Sequence, residues 1–144
     1  MQTSSFIRLV RGSACYDLLV TWPFALPWTF AWIYAQLASA STLLGLPGSN
    51  PPLDAVHVML ANLLGSVVIV WSLARLLTPT IQQGRLDALA RALFAVWQVH
   101  AVLAGASAVI LVFTVFEVLF GIAQLLPVQQ AEGGRSTLLA PTTT

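Results

Sequence analysis

Four apolar stretches, each near the length of a membrane-crossing helix, constrain this chain more than any other feature. They run from Leu18 to Leu37, Ala55 to Leu77, Leu86 to Ala104 and Ser107 to Leu126. A helix needs roughly 20 residues to cross a hydrocarbon layer about 30 Å thick. The expected fold is all-α: an integral membrane four-helix bundle over residues 18–127, with a cytoplasmic N-terminal segment, 1–17, before it. A disordered cytoplasmic tail, 128–144, follows, because the chain turns rich in Gln, Gly, Ser and Thr after Pro127.

Composition agrees with lipid as the solvent. Charged residues make up 8% of the 144 and hydrophobic ones 58%, against about 25% charged in ordinary globular domains. All six basic residues are arginine and five carboxylates oppose them, so no basic patch exists that could hold nucleic acid. The single cysteine, Cys15, excludes an internal disulfide and any multi-cysteine metal site. An N-terminal run ending in Ala38-Ser39-Ala40 is similar to a signal-peptidase site. The apolar segment before it is too long for a signal core and carries Pro23, Pro27 and three tryptophans, so the reading is a retained helix.

The arginines set an orientation. Arg8 and Arg11 precede the first stretch, Arg75 closes the second, Arg85 and Arg91 open the third and Arg135 follows the fourth. All fall on one side, which predicts that both termini are cytoplasmic and that the Leu43 to Pro52 loop lies outside, in the cell inner membrane. The third and fourth stretches join without a charged turn. One continuous helix over Leu86 to Leu126 would extend about 60 Å, twice the hydrocarbon thickness. The chain is therefore expected to reverse at Ala104-Gly105-Ala106-Ser107, making a tight hairpin in which glycine supplies the left-handed turn and Ser107 caps the next helix. In the first stretch, Pro23 and Pro27 deprive the carbonyls of Leu19 and Pro23 of helical donors, which predicts a kink.

The polar residues inside these stretches are the candidate sites. An ionised side chain near the bilayer centre costs roughly 2.5 to 3.5 kcal/mol even on the lenient insertion scale, so Arg91 and Glu117 are expected to pair across the hairpin. Asp87, one turn before Arg91, is expected to share its guanidinium. Thr114, Glu117, Gly121 and Gln124 form one stripe, and Asn62, Gly65, Ser66 and Ile69 a second patch, both read as helix-packing surfaces. His57 and His100 lie at similar depths on neighbouring antiparallel helices, a pattern that could clamp haem b between two imidazoles. A metal site would need further ligands, and none is expected. The function expected is non-enzymatic: an accessory or structural subunit acting through helix contacts with other membrane proteins or with itself. Two alternatives are a haem-binding redox subunit using His57 and His100, and a small proton-coupled transporter using Glu117.

Overall fold

The computed structural model describes residues 1–129, which are helical with no strand among them. Five helices follow in order: α1 (Thr3–Thr21), α2 (Pro27–Leu43), α3 (Ala55–Leu77), α4 (Ile81–Leu103) and α5 (Leu111–Leu125). Short 3-10 turns occupy Trp22–Ala25 and Ala108–Ile110. Ala55–Leu77, Ile81–Leu103 and Ala108–Leu125 are each long and apolar enough to cross a membrane. Thr3–Ala25 with Pro27–Leu43 makes a fourth if that bent pair is one span.

α4 and α5 form the expected hairpin. Gly105 sits at φ +103°, a conformation that residues with a side chain rarely adopt, and this lets the Gly105 and Ala106 amides turn back onto the carbonyls of Val102 and Ala101. The Ser107 hydroxyl then accepts the amide of Val109 at 3.3 Å. At the other end of α4, Thr80 and Gln83 cap each other's amides at 3.1 Å, which starts the helix directly after Thr78-Pro79.

The start of the chain differs from the sequence expectation. Residues 1–17 are not a segment apart from the bundle: they form most of α1, which lies between α3 and the α4–α5 hairpin. Phe6, Val10, Ser13 and Ala14 are fully buried there. Nor is Leu18 to Leu37 one helix with a kink in it, because the chain breaks between α1 and α2 with a bend of 107°. Two prolines one turn apart remove two helical donors, more than a kink can absorb. Two carbonyls at the break find side-chain donors: Thr29 Oγ1 donates to Pro23 O, which Pro27 deprives of its helical donor, and Asn62 Nδ2 to Phe24 O, both at 2.7 Å. Gly65 makes the second contact possible, since a Cβ there would stand 2.6 Å from the Phe24 carbonyl carbon.

The two ends of the bundle are closed differently. At one, the N-terminal amine donates to Pro127 O at 2.7 Å and the Gln129 amide to Met1 O at 2.9 Å, which joins α1 to the end of α5. Arg85 donates to Gln124 O and Leu126 O at 2.7 and 2.9 Å, covering the last carbonyls of α5. At the opposite end, α2 finishes on Gly45 with the same pattern of returning amides as α4, and the following loop pairs with the hairpin turn. The Ser49 amide donates to Gly105 O, Ser107 to Ser49 O and Ala108 to Pro47 O, all between 2.9 and 3.0 Å. The loop from 44 to 54 is thus tied down. Of the tail expected over 128–144, residues from 130 onward lie outside the described part.

Burial is inverted relative to a water-soluble domain. Among the described residues nine polar or charged ones are buried against six hydrophobic ones, while leucines and valines of α3, α4 and α5, with Trp97, stand exposed along their outer faces. In water such a surface would expose far more contiguous apolar area than a soluble monomer carries.

Candidate functional site

Five charged side chains meet inside the bundle, almost half of the chain's eleven Asp, Glu and Arg residues. α1 supplies Asp17, α3 Arg75, α4 Asp87 and Arg91, and α5 Glu117. On α1, Phe6, Val10, Ser13, Ala14 and Asp17 recur at helical spacing and form its inward face. On α4, Asp87 and Arg91 are one turn apart and point the same way.

The geometry is a closed network. Asp17 Oδ2 accepts from Arg75 Nη2 at 2.5 Å and from Arg91 Nη2 at 2.6 Å. Asp87 Oδ2 lies 2.5 Å from Arg75 Nη1 and 3.0 Å from Arg91 Nε, and Asp87 Oδ1 accepts from the Trp71 indole at 3.0 Å. Glu117 Oε2 accepts from Arg91 Nη1 at 2.8 Å. Gln124 donates to Asp87 at 2.7 Å and to Ser13 Oγ at 2.9 Å. The Arg91 guanidinium lies 5.0 Å from the centre of the Phe120 ring, and that of Arg75 lies 5.6 Å from Trp71. Arg75 is fully buried, and Asp87 and Arg91 are 2% exposed. Charges so far from water persist only when paired; each charge here has an opposite partner, while Arg75 Nε and Gln124 Oε1 are buried without a hydrogen bond among the described residues.

The structure therefore brings Arg91, Glu117 and Asp87 together. Asp17 and Arg75 join them, although Asp17 falls in the segment expected to lie before the bundle and Arg75 counted only as an orienting charge. The available signal was the spacing of Phe6, Val10, Ser13 and Asp17, which is one face of a helix. The Thr114, Glu117, Gly121 and Gln124 stripe faces α4 and α1. Thr114 bonds Gln98 at 2.7 Å, and a Cβ on Gly121 would rest 3.7 Å from that of Arg91.

The histidines are placed apart from this site. His57 is exposed beside Asp54, Nδ1 to Oδ2 2.9 Å, while His100 is exposed with its ring edge-on to Trp97. Each has a local neighbour, and no contact joins the two. Asp54 caps α3, and the His57 amide it accepts at 2.9 Å holds its carboxyl below the ordinary aspartate range. Among the described residues no group of three His, Cys, Asp or Glu side chains stands close enough to hold a metal ion.

Above the charges is a cleft. α3 and α4, though consecutive in the chain, do not pack on each other along their length. The space between them, about 420 Å³, is walled by residues such as Leu64, Val67, Leu86 and Phe94, with Asp17, Arg91 and Glu117 at its base. No family model, curated protein or solved structure matches this chain.

Proposed function

We propose that this chain is a multi-pass protein of the cell inner membrane, with both termini cytoplasmic, that acts as a non-enzymatic accessory subunit through lateral helix contacts. The observation that carries this reading is the inverted distribution of polarity. Arginines and carboxylates neutralise one another in the interior, and what the helices offer to their surroundings is apolar surface. A protein built in this way meets its neighbours in the plane of the bilayer.

The orientation rests on fewer arginines than the sequence alone counted. Arg75 and Arg91 are consumed in the buried network, so Arg8, Arg11 and Arg85 carry the argument within the described residues, and Arg135 lies beyond them. Arg8 and Arg11 are exposed on α1, and Arg85 sits at the end of α5 near the N-terminus. The loop 44–54 and the turn at Gly105, at the opposite end, hold no arginine.

Two measurements test this. In a Cys15→Ser background, a cysteine at the exposed Ser49 should react with an impermeant maleimide from the outer side of intact cells. Reaction from the cytoplasmic side alone overturns the orientation. For the accessory role, a photoreactive residue at Leu63 on the outer face of α3 should capture a defined membrane protein, and adducts of lipid alone count against it.

A further inference from the structure

We propose that the cleft between α3 and α4 binds a monocationic amphiphile, with its ammonium head at Glu117 and its alkyl chain between the two helices. The inference rests on the membrane insertion read above. It begins from charge: three carboxylates share two guanidiniums, so the ionised network carries one negative charge in excess. In surroundings that screen poorly, one cation beside the network is strongly favoured.

The place for that cation is Glu117. It uses one oxygen, Oε2, on Arg91, and its Oε1 accepts no hydrogen bond among the described residues. Glu117 lines the cleft with 13% of its side chain accessible; Asp17, at 12%, lines it too but already faces two guanidiniums where Glu117 faces one. Arg91 lines the same space but repels no more than a spent charge does, since its Nε, Nη1 and Nη2 each bond a different carboxylate. A phosphate or carboxylate head would add negative charge to a network that already holds one in excess. Charge complementarity thus selects a cation over an anion or a zwitterion.

The rest of the cleft selects the tail. Its walls are aliphatic, with Phe94 and Trp71 adding aromatic surface of the kind that receives alkylammonium groups. Because α3 and α4 are not packed together, the cleft opens sideways, toward the hydrocarbon from which an alkyl chain would enter. Its volume of about 420 Å³ falls within the range of small-molecule sites that are mostly apolar with a few polar groups.

The test uses the full chain in nanodiscs of phosphatidylcholine with radiolabelled dodecyltrimethylammonium, dodecanol and dodecanoate as probes. Retention is measured above that of empty discs. The expected result is one saturable equivalent of the cation, held at least about tenfold more tightly than either other probe. Glu117→Gln should reduce that preference to within about twofold while helix content is kept. Ala90→Phe, which fills the cleft and leaves every charge in place, should abolish the site. Equal retention of all three probes by wild type overturns the proposal, because it means that Glu117 already carries a proton. So does a preference that survives Glu117→Gln or, if that variant does not fold, one that survives Ala90→Phe. A chain that fails to enter the discs overturns the membrane reading and this one together, whereas a chain that enters and shows no preference overturns only this one.

Discussion

At the scale of residues, the interior network changes what each charge is worth. An isolated Arg91–Glu117 pair would make the two partners equally costly to lose. With Asp17, Asp87 and Arg75 present, removing Glu117 leaves two carboxylates on two arginines, a neutral set. Removing Arg91 leaves three carboxylates on one arginine. We therefore expect Arg91→Leu to cost about 3 to 5 kcal/mol, the range for stranding a buried charge. Glu117→Gln should cost about 1 kcal/mol or less, both read from reversible unfolding in mixed micelles. The double variant Arg91→Leu/Glu117→Leu should be more stable than Arg91→Leu alone, and a double variant worse than both singles would contradict the network. Asp54, at the opposite end, gives a pH-dependent expectation. Its carboxyl is held below the usual range, chiefly by the His57 amide. The stabilisation is therefore present above the unfolded-state titration of an aspartate and is lost as pH falls through the lowered folded one. Protection of the His57 amide, relative to its intrinsic exchange rate at each pH, should fall only in that acid range, and a loss of protection near neutral pH would refute the assignment.

At the scale of elements, the hairpin was legible because length alone forbids a single helix from Leu86 to Leu126, and Gly105 and Ser107 mark where it turns. The Arg91, Asp87 and Glu117 contacts were legible for a related reason, since charges in an apolar stretch need partners and the hairpin fixes which residues share a level. α1 was not legible as a core helix. Its inward face carries Ser13 and Asp17 and its outer face Arg8 and Arg11, so hydropathy reads it as an exposed segment. Its buried face becomes favourable only beside Arg75 and Arg91, which lie far along the chain. The break at Pro23 and Pro27 was foreseen only as a kink, because the donors that allow a full break, Thr29 and Asn62, are set by tertiary structure. The loop from 44 to 54 yields a prediction of its own. Gly48 has φ +92°, and a Cβ there would run into the Ala106 carbonyl oxygen. Gly48→Ala should loosen the loop from the hairpin and speed proteolysis between 44 and 54, with little change in helix content. Unchanged cleavage would show that the contact does not hold the loop.

At the scale of the whole molecule, the polar interior makes α1 indispensable rather than a leader to the bundle. A chain lacking residues 1–17 loses Asp17 and leaves Arg75 and Arg91 with too few partners. It should fail to accumulate as a monodisperse particle on size exclusion in detergent, and normal yield and helicity of that truncation would show that the network does not hold the fold. The same arrangement bears on the order in which the protein is made. α1 leaves the ribosome first, yet the groups that neutralise Asp17 lie at positions 75 and 91, and the amide that bonds Ser13 is at 124. Placing Asp17 in lipid before those partners exist is unfavourable. Of these five helices the earliest in the chain is therefore expected to be the last to settle, held near the interface or by the insertion machinery until α5 has emerged. Assembly is thus expected to run against the direction of translation, with α1 closing onto the end of α5 last.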